Sequence, residues 1–473
     1  MVTTVGCSQA PEQPSFVLIS LDTLRADRLG AYGYSTAVTP NLDAFAAQSV
    51  LFEQAYAQAN VTNMSHASLF SSRYASELGP ANDAFVPATD VPLLAEILSA
   101  YDYQTAAAAG GGHLFEGLGL DRGFASFVRP APLGSLYHTA PEALSMLDAM
   151  DDQHPYLLFV HGYDTHLRYL KPSPLGLLHT DPDYAGPGAR AARDPTGTAY
   201  VLDERYYEGV GLGPLVGLRQ ARVWGQENRV AIHERAESLE ATTHELKPAD
   251  LNYLSAVYDG AVTYMDAHFG LLMAELEQRG VLDDAWVVVV SDHGESLGED
   301  GLFCHNMALN DATLHVPLII RPPGGLAEGL RVPGATALLD VLPTLLELAQ
   351  IPDPALIHGR SLLPALQGEP HTARRHIFSE GQVRMVTARS DAGQLTLQGV
   401  SAESPYLEAL LAVAQLDGTA FELSPSDDPA TRQALRAAML DWRQSLRPSR
   451  QQAQQPTRPQ IEAMRKHGYW STR

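Results

Sequence analysis

The 473 residues carry 55 acidic and 32 basic side chains, a formal net charge of −23, with 45% hydrophobic and 18% charged residues. That is the composition of a globular chain with a large core; it excludes collagen, coiled coil and wholesale disorder. The acidity excludes a protein that coats nucleic acid or an anionic membrane surface, but not a local site for an anion.

The elements follow in chain order. Thr4-Val5-Gly6-Cys7-Ser8 matches the end of a bacterial lipoprotein signal, in which the Cys is lipidated, although the basic and apolar parts of such a signal are missing. An ordinary polar N-terminus is the other reading. Phe16-Val17-Leu18-Ile19-Ser20 then reads as a strand and ends in Leu21-Asp22-Thr23. Val91 to Ala100 has a helical pattern. A second strand, Tyr156-Leu157-Leu158-Phe159-Val160, ends in His161-Gly162-Tyr163-Asp164-Thr165-His166. Residues 167–250 interrupt the pattern with Ala185-Gly186-Pro187-Gly188 and an expected amphipathic helix, Asn228 to Ala241. Tyr253 to Gln278 is helical, and Trp286-Val287-Val288-Val289-Val290 is a third strand followed by Ser291-Asp292-His293-Gly294-Glu295.

Short apolar runs between helical stretches read as strands buried on both faces, so the expected fold class is α/β with a large mixed, mostly parallel sheet sandwiched by helices. Ligands bind beyond the carboxyl ends of such strands, and all three strands deliver Asp or His there. The expected organisation is a linker over 1–14 and a catalytic domain over 15–365 with a rim insertion at 167–250. A smaller C-terminal α+β subdomain with its tail, 366–473, includes a helix from Pro429 to Ser445 and a Gln/Pro-rich arm from Arg450 to Gln460. Two cysteines, Cys7 and Cys304, make neither a disulfide scaffold nor a Cys-based zinc site. No apolar run reaches the ~18 residues of a membrane helix.

A series of signatures goes further. Asp22-Thr23-Leu24-Arg25-Ala26-Asp27-Arg28-Leu29-Gly30, Thr39-Pro40-Asn41-Leu42-Asp43, Ser65-His66-Ala67-Ser68-Leu69 and Leu120-Asp121-Arg122-Gly123-Phe124 come first. Tyr258-Asp259-Gly260, Ser291-Asp292-His293-Gly294-Glu295, Val316-Pro317-Leu318 and Gly359-Arg360-Ser361-Leu362 follow. In order and spacing the chain resembles the sulfatase family of the alkaline-phosphatase superfamily, over roughly residues 15 to 445. The resemblance implies an alkaline-phosphatase-like fold and a metal-dependent ester hydrolase. It places Asp22, Asp292 and His293 at metal-ligand positions. Calcium-binding sulfatases often have Asn after the second Asp and a further Asp after the first. Here His293 and Thr23 stand there, so one divalent ion is expected, with Zn²⁺, Mn²⁺ or Fe²⁺ favoured over Ca²⁺.

At the nucleophile position sulfatases have a Cys or Ser that is oxidised to formylglycine, at the head of a Cys/Ser-x-Pro-x-Arg motif. This chain has Thr62-Asn63-Met64-Ser65-His66. A Thr cannot become formylglycine, and nucleotide pyrophosphatase/phosphodiesterase relatives use Thr directly. Thr62 is therefore expected as nucleophile and metal contact at a helix N-terminus, where the free N–H groups favour an anion. The resemblance further implies that Asn82 contacts the anion, that His166 and His305 lie at the ester and leaving group, and that His66 stands where the motif's Arg would be. His113, in Gly110-Gly111-Gly112-His113, falls near another family motif whose Lys is missing. Asp164, His166 and His305 have the ligand types of a second metal, but the spacing favours one metal.

The leading expectation is a hydrolase of phosphoric or sulfuric esters, with phosphodiesters or phosphonate esters favoured. The alternatives are a sulfatase acting without formylglycine, a non-catalytic anion-binding protein and, less well supported, phosphoryl transfer at an envelope surface. The expected partner is a small anionic ester, with no nucleic acid; a homo-oligomer is compatible with the sequence. The expected location is the periplasm or a lipid anchor in the bacterial envelope, otherwise the cytoplasm.

Overall fold

The three apolar runs lie side by side as parallel strands. The computed structural model describes residues 13–79, 85–185 (apart from 112, 132, 167, 168, 170 and 173), 229–232, 242–245, 248–299, 303–305, 308–381, 385–398, 421–422 and 428–449. Nine strands form the main sheet: β1 (Ser15–Leu21), β2 (Val50–Tyr56), β3 (Gln104–Ala108), β4 (Ser126–Val128), β5 (Tyr156–Gly162), β6 (Ala285–Val290), β7 (His315–Val316), β8 (Leu318–Arg321) and β9 (Leu330–Ala337). Their order is β7-β2-β8-β6-β1-β5-β3-β4, with β9 also paired to β2. Pairs β1–β5, β1–β6, β3–β5, β3–β4 and β9–β2 are parallel, while β7 and β8 run antiparallel to their neighbours.

The continuous apolar runs have a simple cause. Phe16 and Leu18 of β1 enter the core on one face, with Met64 and Phe70 of α2 (Thr62–Ser71), the helix that follows α1 (Pro40–Ala46) and β2. Val17 and Ile19 enter the core on the other, with Val257, Tyr258 and Phe269 of the long helix Pro248–Gln278. Leu157/Leu158 and Val287/Val288 divide in the same way. A strand covered on both sides has no polar face, so its sequence does not alternate.

Beyond the sheet, Ile377–Gly381, Met385–Ser390, Gly393–Gln398 and Phe421–Glu422 make a four-stranded antiparallel sheet. The helix Pro429–Ser445 runs over the expected residues, and its Trp442 stacks on Phe378 at 5.0 Å between ring centres. This unit is pinned to the chain after β2: the Ser379 hydroxyl donates to the Ala57 carbonyl (2.6 Å) and the Glu380 N–H to that of Gln58 (2.8 Å).

Two helix expectations are corrected. The pattern at Val91 to Ala100 yields a helix only over Leu94–Ser99. Pro92 disfavours helical backbone at Val91, and Leu93 is extended. Within Asn228 to Ala241, Arg229–Ile232 is a strand paired antiparallel with Thr242–Glu245, and 233–241 lie outside the described residues. The β-branched Val230 and Ile232 at alternate positions satisfy the strand period as well as a helical one. The N-terminal segment with Cys7 and the arm Arg450 to Gln460 also lie outside the described residues. Among the described residues no helix is long and apolar enough to cross a membrane.

Candidate active site

The strand register brings the site together. Asp22 follows β1, Asp292 and His293 follow β6, and Ser20 pairs across with His161 of β5 and Val290 of β6. Thr62 is the first residue of α2, and Val61 before it is extended. Every residue of α2 is buried. Among its polar side chains, the Ser65 hydroxyl donates to the Asp292 carbonyl oxygen at 2.5 Å. The helix N-terminus is held against the ends of β1 and β6.

Thr62 Oγ1 lies 3.3 Å from Asp22 Oδ2 and 3.4 Å from His293 Nε2. Asp22, Asp292 and His293 each offer one ligand atom, all within 4.8 Å of one another. Asp292 Oδ1 accepts the backbone N–H groups of Thr23 (3.2 Å) and His293 (2.9 Å). Its Oδ2 and Asp22 Oδ1 are buried with no hydrogen-bond partner. His293 Nδ1–H donates to the Gly294 carbonyl at 3.0 Å, which leaves the Nε2 lone pair free toward Thr62. Two unpartnered carboxylate oxygens and one imidazole lone pair, all buried, are the donors a divalent cation needs.

The electrostatics point the same way. Burial, then the neighbouring Asp292 carboxylate, pushes the Asp22 carboxyl well above the usual range. Burial alone would also raise Asp292, but His293, His66 and His161 outweigh it and lower that group. Two carboxylates this close cannot both ionise cheaply without a cation between them.

The turn after Asp22 is held in a costly conformation. Thr23, β-branched and fully buried, has φ +58°, a left-handed backbone such residues rarely adopt. Its hydroxyl turns back onto the Asp22 carbonyl (2.7 Å), and its own carbonyl accepts the Tyr258 hydroxyl (2.7 Å). The Thr23 hydroxyl is thus bonded to the neighbouring backbone carbonyl.

A second group, His66, His161 and Asp292, also converges within 4.8 Å, but its hydrogen bonds suit structure rather than ligation. The Gly110 N–H donates to His161 Nδ1 (3.2 Å), so the ring proton sits on Nε2 and is donated to Asp22 Oδ2 at 3.1 Å. His66 Nδ1–H donates to the Thr62 carbonyl (2.8 Å), and its Nε2 accepts the Ser20 hydroxyl (2.9 Å). Burial lowers both rings to about 4, so both are neutral at neutral pH and carry charge only in acid.

The other expected residues are distributed as follows. His305 is buried, its Nδ1–H donating to Glu295 Oε1 at 3.0 Å. The His305 ring lies 4.4 Å from that of His293 and 5.0 Å from that of His166. His166 stacks on Tyr163 at 4.0 Å. Asp164 Oδ2 instead accepts the Leu136 N–H (2.8 Å) at the start of the helix Leu136–Asp148. Among the described residues, no three-ligand group contains Asp164, His166 or His305. His113 is half-buried, and burial, then His305, lowers it to about 4. Asn82 and the Cys304 side chain lie outside the described residues. Residues not assigned from sequence are Ser20, His161 and Glu295; for His161 the signal was its place at the end of a strand.

A family model described as Sulfatase matches residues 14–351. The chain belongs to the sulfatase family. As a sulfatase-family member it is an ester-hydrolysing enzyme. It is 23% identical over 405 residues to an N-acetylglucosamine-6-O-sulfatase of Bacteroides thetaiotaomicron, covering 76% of this chain and 72% of that one. It is 26% identical over 246 residues to a multifunctional alkaline phosphatase superfamily protein of Trinickia caryophylli, 52% of this chain but only 44% of that relative's length. The fold matches a phosphonate monoester hydrolase of Silicibacter pomeroyi with TM-score 0.64 and 20% identity, over 92% of this chain and 96% of that one.

Proposed function

We propose that this sulfatase-family enzyme hydrolyses a small anionic ester of phosphorus, a phosphodiester or phosphonate monoester, with Thr62 as the nucleophile. The observation that carries the reading is Thr62 Oγ1 at the N-terminus of α2, within 3.4 Å of both Asp22 and His293. The ligands are Asp22, Asp292, His293 and Thr62, and their nitrogen donor favours Zn²⁺, Mn²⁺ or Fe²⁺ over Ca²⁺. When bound, such an ion acidifies the hydroxyl and offsets charge on the phosphoryl oxygens.

The chain's own groups do the rest. The first-turn N–H groups of α2 face the anion, and the buried, unpartnered Asn63 Nδ2 is a further donor beside them. Thr62 Oγ1, having lost its proton to solvent, bonds to phosphorus while the bond from phosphorus to the leaving oxygen breaks. His305, oriented by Glu295, gives the leaving oxygen a proton. Water then bonds to phosphorus and returns a proton to His305 while the Thr62 Oγ1–phosphorus bond breaks, its electron pair returning to Oγ1, which regains a proton from solvent. His166 borders the same space on its Tyr163 support.

A second reading is a sulfuric ester, the substrate class in the name of the Bacteroides thetaiotaomicron relative. It is weaker because Thr62 cannot become formylglycine, whose hydrate releases sulfate by elimination. The test is a panel of aryl phosphodiester, phosphonate monoester, phosphate monoester and sulfate ester, with bound metal quantified on the same preparation. The proposal expects the first two to turn over fastest, without formylglycine-generating machinery in the expression host. Turnover confined to the sulfate ester would overturn it.

A further inference from the structure

We infer that His161 is a positioning residue that decides which oxygen of Asp22 is offered to the metal, and that the glycine at 110 fixes the state in which it does so. The inference rests on the metal site proposed above and concerns a residue outside its ligand set.

His161 is fully buried at the end of β5, beside β1. Its Nε2–H donates to Asp22 Oδ2 at 3.1 Å. That oxygen already accepts the Thr62 hydroxyl at 3.3 Å, while Oδ1 has no partner. A carboxylate beside a cation rotates about its last bond unless something holds one oxygen. The imidazole holds Oδ2 and leaves Oδ1 as the open donor.

The tautomer is not left to chance. Imidazole can donate from Nε2 while neutral only if Nδ1 carries the lone pair. The Gly110 N–H donates to Nδ1 at 3.2 Å. Only glycine brings its backbone that close. A Cβ at residue 110 would sit 2.0 Å from the Gly134 carbonyl oxygen and 2.7 Å from that of His161. At Gly111 a Cβ would meet the Tyr163 ring at 3.0 Å. The Gly110 backbone thus supplies the donor that commits His161 to Asp22. The same hydrogen bond argues against His161 as a ligand, since its Nε2 lone pair is occupied by the proton.

The experiment uses the full chain stripped with EDTA. Mn²⁺ binding is measured by calorimetry and Co²⁺ binding by visible absorption, for the wild type, His161→Leu, His161→Asn and His161→Gln. Circular dichroism and melting in EDTA confirm that each is folded. Leu fills the space without a donor, and Asn is too short to reach Asp22. Both are expected to weaken Mn²⁺ and Co²⁺ binding about 10–100-fold and to shift the Co²⁺ band. Gln places an amide N–H near the position of Nε2, so it should bind close to wild type. Folded Leu and Asn variants that bind both ions as tightly as wild type would overturn the inference and leave the metal site standing. A wild type that takes up neither ion would overturn the metal site, and the inference with it.

Discussion

Two buried polar clusters lie at and just beyond the two ends of helix α2, which is about 15 Å long, and they are built on opposite principles. At the C-terminal end Glu77 has both oxygens fully used. Oε1 accepts Arg73 Nη2 (3.1 Å) and the Arg447 N–H (2.6 Å), while Oε2 accepts the Tyr74 N–H (3.1 Å) and His358 Nε2–H (2.8 Å). At the N-terminal end Asp22 and Asp292 each keep an oxygen with no partner. A protein that can satisfy a buried carboxylate four times over at one end has not failed to do so at the other by accident. Open buried atoms of this kind are what the proposed metal would satisfy. The Glu77 cluster ties Arg447, just after the C-terminal helix, to the short helix Ala75–Leu78; the Asp22 cluster is the one to which we assign the chemistry.

The largest effect that tests this division is on turnover. Thr62→Ala removes the attacking atom and one metal contact and should lower kcat/KM by about a thousandfold or more, whereas Thr62→Ser should retain much of the rate. Melting temperature should change little in either. Near-normal turnover in folded Thr62→Ala would mean that water, not Thr62, attacks, and the N-terminal cluster would lose its assigned chemistry.

The next effect belongs to the other cluster. Glu77→Gln leaves Arg73 and His358 without their anion, with Arg73 only 7% exposed in its side chain. Stability should fall by about 3 kcal/mol, the range for breaking one partner of a buried ion pair. Activity per folded molecule should be unchanged. Chemical denaturation and active-site titration on the same sample decide it. A large loss of kcat/KM in a folded Glu77→Gln enzyme would show that the two ends of α2 are coupled.

Much of this contrast was legible in the sequence, and the illegible part has a physical reason. The three strands were read from short apolar runs, because burial on both faces removes alternation. Asp22, Asp292 and His293 were read from their place after those strands and from the family resemblance. The role of His161 is not legible because it depends on register: only pairing of Ser20 with His161 brings its Nε2 to Asp22, and only the Gly110 backbone sets its proton. Glu295 is hidden for a similar reason, since it meets His305 ten positions further along the chain. The left-handed backbone at Thr23 ran against propensity altogether, as strain at a functional site does. The Glu77 cluster, assembled from Arg73, His358 and Arg447, has no short motif to betray it.

A smaller effect is a gain in stability. In EDTA, Asp22→Asn removes one of two apposed buried carboxyl groups. At neutral pH it should stabilise the metal-free protein by about 1 kcal/mol while abolishing any rise in melting temperature on adding Mn²⁺. A metal-free Asp22→Asn protein less stable than wild type would mean that the pair is not strained.

The finest test uses pH, because the two clusters should bend stability in opposite directions. Burial, then Asp292, raises Asp22 above the usual carboxylate range, so the folded metal-free protein binds this proton more tightly than the unfolded chain. Its contribution must therefore fall as pH rises from the usual carboxylate range through the raised value. Burial would raise Glu77 as well, but the His358 hydrogen bond and charge, the Arg447 N–H and Arg73 outweigh it and lower the group. Its contribution is fully present above the usual range and is lost as pH falls through the depressed value. Each slope is bounded by one proton, about 1.4 kcal/mol per pH unit. Denaturation in EDTA at a series of pH values, for wild type, Asp22→Asn and Glu77→Gln, gives the two difference curves. The wild type minus Asp22→Asn curve should descend with pH and the wild type minus Glu77→Gln curve should rise. Two curves of the same sign would show that the Asp22 cluster is as self-sufficient as the Glu77 cluster, and the open oxygens would no longer argue for a cation between them.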